Sequence, residues 1–207
     1  MVSSILSEAD AREVEAAVAR VESQSAAEVV VAVVPRSHDY WQGRVLLTVG
    51  WAVAGGLAFL RLEPWRDPAL ALLVELVVGA AVYAASGLAP LRRLLVSKAG
   101  VARAVSARAF QLFAERGLYA TRGRTALLIF VSELERRVVL LGDHAIHSEL
   151  GQTGWDAQVE ILLRNIRAGE AKRGLLEVLE QLEPHLASVA PRAADDVNEL
   201  PDAVLRG

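Results

Sequence analysis

The sequence predicts an α+β domain with a pair of membrane helices inserted into it, and three observations carry that prediction. Two runs, Glu28–Val34 (EVVVAVV) and Thr125–Val131 (TALLIFV), are apolar without alternation and rich in β-branched residues, as strands buried on both faces are. Several other segments repeat apolar residues three and four positions apart, the helical period. Between the first strand and the rest lies Val45–Leu91, which holds the chain's apolar excess.

Composition bounds the function. The 207 residues suffice for one domain plus an attachment. Acids exceed bases by 25 to 22, which gives no electrostatic case for a nucleic-acid partner. The absence of cysteine excludes disulfides, thiolate metal sites and cysteine nucleophiles. A hydrophobic fraction of 53% is high for a soluble domain, while 5% aromatic is low.

The elements follow in order. Ser7-Glu8-Ala9-Asp10 has the pattern of a capping box, and Val14, Ala17, Val18 and Val21 then form a stripe suited to covering a sheet. The strand Glu28–Val34 is stopped by Pro35. Val45–Leu60 carries no charge, but sixteen helical residues span only about 24 Å against a hydrocarbon core of roughly 30 Å. Extension back to Trp41 completes the span if Arg44 snorkels to the headgroups. A polar loop, Arg61–Pro68, leads to a second run, Ala69–Leu91, whose one charge is Glu75. Tyr40, Trp41 and Trp65 suit interfacial anchoring. Gly50, Ala54 and Ala58, and Ala80 with Ala84, would let two antiparallel spans approach closely. The competing reading is a pair of buried helices in a soluble protein, against which the length of the uncharged runs argues.

Basic residues orient the hairpin. Arg36 and Arg44 precede it, and Arg92, Arg93, Lys98, Arg103 and Arg108 follow it. In the loop, Arg61 and Arg66 are balanced by Glu63 and Asp67. The positive-inside rule puts both flanks, and so both termini, in the cytoplasm, as a two-span protein of the inner membrane. Met1–Ser23 has no apolar core and is not read as a secretory signal.

After the hairpin, Lys98–Arg116 reads as a helix with Val101, Val105, Leu112 and Phe113 on one side and Gly117 as its stop. Thr125–Val131 and Arg137–Leu141 read as a β-hairpin joined by Ser132–Glu135. Thr153-Gly154-Trp155-Asp156 reads as a second capping box opening a helix through Trp155, Val159, Leu162, Leu163 and Ile166 to Gly169. Leu175, Val178, Leu179, Leu182 and Leu186 mark the last helix, and the chain beyond Pro191 reads as an extended or partly disordered arm. The pieces outside the hairpin, about 160 residues, support one core. The N-terminal helix and single strand could not bury their own apolar faces, so the hairpin is an insertion into a single fold.

In this order the segments SAAEVVVAVV, ARAFQLFAERGLYATRGRTALLIFVSELERRVVLLGDHAI, a Trp-led helix and a late NELPD resemble the TPM domain family, named from thylakoid lumen, photosystem-repair and receptor-modulator proteins. The resemblance is to the bacterial branch with a transmembrane insertion. It covers nearly the whole chain and is most specific from Thr121 through Ile146. It implies an α/β sandwich, a short mixed β-sheet with helices on both sides. On this reading residues 1–40 and 97–190 form the domain, 41–96 the hairpin and 191–207 the tail. It also implies one of two activities, since members are described either as acid phosphatases or as assembly and repair factors without chemistry. Of the family's acidic cleft, which holds a divalent cation such as Ca²⁺ or Mg²⁺, the strand end here supplies Asp143, followed by His144.

Each candidate residue has a plain structural alternative. Asp143 could ligate a cation or act in phosphoryl chemistry, or simply satisfy backbone N–H groups in a turn. His144 and His147 are spaced to share a helical face, and surface histidines are the default reading. Glu135-Arg136-Arg137, and Arg122 and Arg124 beside Thr121, could present guanidinium forks to a phosphate or face anionic lipid. Glu28 is expected near Arg124 as a structural ion pair. The catalytic candidates are therefore Asp143 and Arg124, with Thr121, Arg122, Glu135 and Arg136 on the substrate and Asp143 on the metal. No Ser–His–Asp order, phosphate-cradling Gly loop or zinc-helix motif is present. The reading favoured is a non-catalytic, membrane-tethered assembly or quality-control module with a lipid and membrane-protein partner. The alternative is a weak cation-dependent acid phosphatase, and a channel is disfavoured because Thr48 and Glu75 are too few pore-lining groups.

Overall fold

The computed structural model describes residues 5–38, 41–88, 98–121, 123–192 and 203–206. Tyr40, Leu91, Arg92, Arg93, Arg122 and most of the arm after Arg192, all invoked above, lie outside that set. The elements are α1 (Glu8–Gln24), β1 (Glu28–Val34), α2 (Trp41–Leu62), α3 (Ala69–Ala85), α4 (Lys98–Glu115), a 3₁₀ turn (Leu118–Ala120), β2 (Ala126–Ser132), β3 (Arg137–Gly142), α5 (His144–Arg167), α6 (Ala171–Val189) and β4 (Leu205–Arg206). They divide into two compact units, Met1–Ser37 with Ala102–Gly207, and His38–Val101.

The first unit is an α+β body around a mixed sheet in the order β3-β2-β1-β4. β1 runs parallel to β2, with Glu28 opposite Ala126 and Val34 opposite Ser132. β3 returns antiparallel to β2, pairing Ser132 with Arg137 and Leu127 with Gly142. β1 and β2 are buried at every position, which explains why neither sequence alternates. One face, bearing Val29, Val31, Val33, Leu127, Ile129 and Val131, packs into a single core with the apolar stripes of α1, α5 and α6. The other face carries Val30, Ala32, Leu128 and Phe130. Among the described residues, Val105, Ala109 and Leu112 of α4, and Leu118, are also buried but lie outside that core.

Local chemistry sets the element ends. At α1 the Ser7 hydroxyl accepts the Asp10 N–H at 3.1 Å, while Asp10 accepts the Ser7 N–H at 3.1 Å, the reciprocal capping box. After α4 the chain reverses at Gly117, in the left-handed region (φ 69) that glycine tolerates.

One expected helix boundary shifts. The helix expected to open at Thr153 begins at His144, capped by Asp143, and is broken by Gly151 (φ 61, ψ 171), so that a short helix precedes the Trp155 segment. Where it is described, the arm is extended: Leu205 and Arg206 pair parallel with Ala32 and Val33, and the Val204 N–H donates to Glu15 at 3.0 Å.

In the second unit α2 and α3 lie against one another. Their seam is built from small residues: a Cβ at Gly55 would stand 3.1 Å from Val78, and one at Gly79 would stand 3.5 Å from Ala52. α2 is long and apolar enough to cross a membrane by length and composition, whereas α3 is apolar but has only 17 residues.

Candidate functional site

The sequence-selected residues lie at two opposite ends of the sheet. Because β2 has seven residues at about 3.3 Å each, those ends stand roughly 20 Å apart. Asp143, Arg124 and Thr121 belong to the amino end of β1 and β2; Glu135 and Arg136 belong to the carboxyl end. The register fixes this, since Leu127 pairs with Gly142 at one end and Ser132 with Arg137 at the other. A single site using all of them is excluded, because one small phosphate ester cannot bridge that distance. Arg122 lies outside the described residues.

At the amino end, the Asp143 N–H donates to the Ala126 carbonyl at 2.9 Å, continuing the β2–β3 ladder. Its Oδ1 accepts the His144 N–H at 2.7 Å, and its carbonyl accepts the His147 N–H at 3.0 Å. Asp143 thus acts as the N-cap of α5, the structural alternative weighed above. His144 and His147 are exposed; the His147 ring stacks on buried Trp155, with centroids 6.0 Å apart. The Trp155 ring in turn lies on the backbone of Gly142, where a Cβ would stand 2.7 Å from it. Arg124 is exposed with positive φ (50), at a turn in which its N–H donates to the Thr121 carbonyl at 3.1 Å. The Thr121 hydroxyl is buried without a hydrogen-bond partner, while the Thr125 hydroxyl donates to the Ala26 carbonyl at 3.1 Å. Glu28 is also buried at this end. Among the described residues, no group of three or more His, Asp or Glu side chains gathers to hold a metal ion.

The carboxyl end holds a tighter network that sequence reasoning missed. The Ser37 hydroxyl donates to the Ser132 hydroxyl at 2.7 Å, and Ser132, itself fully buried, donates to the Glu135 carboxylate. Glu135 also accepts the Ser37 N–H at 3.2 Å and 3.3 Å through its two oxygens. The carboxylate therefore ties the turn after β2 to the residues leaving β1. The Ile5 N–H donates to Glu133 at 2.9 Å on the same turn. Arg136 has positive φ (50) and is exposed at the tip. The one sequence signal for this network was a serine closing an otherwise apolar strand.

The α2–α3 pair places Arg44, Ser86 and Glu75 in its seam. Arg44 donates to the Ser86 hydroxyl and to the Tyr83 carbonyl, each at 3.2 Å, and its guanidinium lies 4.5 Å from the Tyr83 ring centroid. Glu75 lies against Gly56, where a Cβ would stand 2.3 Å from its Oε1. Between the helix ends the outward surface is rich in large apolar side chains: Leu46, Leu57, Leu72 and Leu76 are all more than 60% exposed.

No family model matches the chain, and no curated protein does. Among solved structures it is similar to the NMR structure of the BA42 protein from the psychrophilic bacterium Bizionia argentinensis, with a TM-score of 0.62 and 17% identity. The alignment covers 100% of this chain and 99% of that one. At that identity the likeness concerns the fold alone.

Proposed function

We propose that this chain is a membrane-anchored, TPM-like domain serving as a non-catalytic assembly or quality-control module at the cytoplasmic face of the inner membrane. The observation that carries the reading is the surface of the α2–α3 pair, whose large apolar side chains point outward while Arg44 and Glu75 turn inward. That inversion suits hydrocarbon as the surrounding solvent. On this proposal α2 is one span and the run from Ala69 to Leu91 the second, with both termini cytoplasmic by the balance of arginines. The polar residues named for chemistry support the same reading. Asp143 is engaged as a helix cap and Glu135 as a strap between strands, so each has a structural task where it stands.

The test is fractionation of the full chain, followed by purification of whatever it holds. Retention in the membrane after alkaline carbonate, with a membrane protein co-purifying in mild detergent, is the expected result. Release by carbonate would end the anchor reading.

A second reading, weak phosphate-ester hydrolysis, draws on the buried Thr121 hydroxyl beside exposed Arg124 at the amino end of the sheet. Cation-dependent turnover by the purified protein, abolished by Asp143→Asn without loss of folding, would replace the first reading with this one.

A further inference from the structure

α4 is the first described helix after α3. It packs one stripe inward: Val105, Ala109 and Leu112, spaced four and three apart, are buried. The opposite stripe is Arg103, Ala107, Phe110 and Ala114, spaced four, three and four, and all four are exposed. An outward helical face in water normally carries charged and polar residues. This one carries a single charge, basic, beside a phenylalanine that is 59% exposed.

The sign of the charge extends along the helix. From Lys98 to Ala114 the sequence KAGVARAVSARAFQLFA has three basic residues and no acid. The first acid, Glu115, is paired with Arg108 at 3.5 Å, which leaves Arg103 as the exposed cation of the stripe. Tyr119, just beyond the helix, adds a second exposed aromatic. Basic residues beside small and aromatic apolar ones make the face of a helix lying in a membrane interface. There the ring enters the headgroup boundary and the cation meets lipid phosphate. The covalent chain links the two, with nine residues between Leu88, just after α3, and Lys98.

We infer that the outward stripe of α4, Arg103-Ala107-Phe110-Ala114, is a second membrane contact that seats the α/β body on anionic lipid headgroups. This rests on the anchor reading, since α2 and α3 deliver α4 to the bilayer. The geometry provides a shallow, salt-sensitive contact, distinct from the span, which would fix how the body stands over the surface.

The chain contains no cysteine, so single reporters can be placed without removing native thiols. The full chain, carrying an environment-sensitive fluorophore at Ala107→Cys, Leu57→Cys or Arg173→Cys, is reconstituted into phosphatidylcholine vesicles with or without phosphatidylglycerol. Lipids nitroxide-labelled near the headgroup or deep in the tail, and aqueous iodide, serve as quenchers. The inference expects the residue 107 reporter to shift blue and to be quenched by the shallow nitroxide only when phosphatidylglycerol is present. It also expects that quenching to fall at high salt and with Arg103→Glu or Phe110→Asp, while the residue 173 reporter stays open to iodide.

Quenching at residue 57 by the deep nitroxide, with residue 107 still open to iodide in anionic vesicles, would overturn this inference and leave the anchor intact. Quenching at residue 107 without quenching at residue 57 would support the contact and remove the spans. Shielding of residue 107 from iodide that is independent of lipid and grows with protein concentration would mark a contact between copies, and would also overturn it.

Discussion

In the α/β body, β1 and β2 are buried at every position, and the side chains that remain outside are mostly the charged faces of α1, α5 and α6. In the α2–α3 pair the arrangement is reversed. Among the described residues of those helices, Gly56, Ala71 and Gly79 are buried, while leucines, valines and two tryptophans face outward. The two regions are made of similar residues, yet a water-soluble core needs bulk at its centre. If the pair sits in hydrocarbon, as proposed, it gains nothing from burying leucine and associates through small residues that let backbones approach. The body is held by volume and the pair by shape and a few polar contacts, so each should fail under different substitutions.

The largest effect expected is in the body. Phe130, fully buried on the sheet face away from the α1, α5 and α6 core, truncated as Phe130→Ala should cost about 3–5 kcal/mol, a large share of the 5–15 kcal/mol typical of a domain. Hydrogen exchange should show protection lost across β1, β2 and β3 but kept in α2 and α3. Loss in both regions would mean that they fold as one unit. The complementary change is Leu57→Arg on the outward face of α2. A charge there should cost roughly 2.5–3.5 kcal/mol if it lies near the bilayer centre. The carbonate-resistant fraction should fall while β1 and β2 keep their protection; an unchanged fraction would break the comparison at its membrane half.

A smaller effect is expected in the seam. Arg44→Ala removes two hydrogen bonds and a ring contact that join the first turns of α2 to the last turn of α3, together worth about 1–2 kcal/mol. Faster exchange confined to those turns is the expected reading. Arg44→Lys should restore only part of the protection, because an ammonium cannot both stack on Tyr83 and donate along two directions in its plane.

The body's elements were legible because their signals are local. The run EVVVAVV bounded by Pro35 marks β1, the Leu175–Leu186 spacing marks the buried stripe of α6, and Gly117 marks the end of α4. β4 was not legible, because Leu205 and Arg206 form a strand only by pairing with β1, and two residues carry no pattern of their own. The start of α5 was missed because His144 and His147 lie on an exposed surface and Gly151 breaks the period. The candidate site was the least legible part. Which residues share a sheet end depends on register between distant segments, and the Ser37–Ser132 bond joins positions 95 apart. Proximity in sequence had grouped Glu135 with Asp143, although β3 carries them to opposite ends.

The smallest effect sharpens the comparison by testing whether surface charge contributes where the body is otherwise held by volume. The hydrogen bond from the Ser7 hydroxyl lowers the Asp10 carboxyl from its ordinary 3.8 to about 2, with help from Lys172 and the Ser7 N–H. The same contacts, with Asp10 first and Glu13 second, raise the Lys172 ammonium above its ordinary 10.5. A carboxyl whose value is lower in the fold than in the unfolded chain binds its proton more weakly when folded. Its contribution is therefore complete above pH 3.8 and disappears as the pH falls toward 2. Lys172 has the opposite sign: its contribution is present below pH 10.5 and is lost as the pH rises past that value. Asp10→Asn should lower the body's melting temperature at neutral pH and flatten its decline between pH 4 and pH 2, since the variant has no carboxyl to titrate there. Because the group is exposed, added salt should weaken the Lys172 part of the effect but spare the Ser7 capping bonds. A melting curve whose acid slope is the same in both proteins would show that α1 is held by its buried stripe alone, and that the capping box and its link to α6 add nothing measurable.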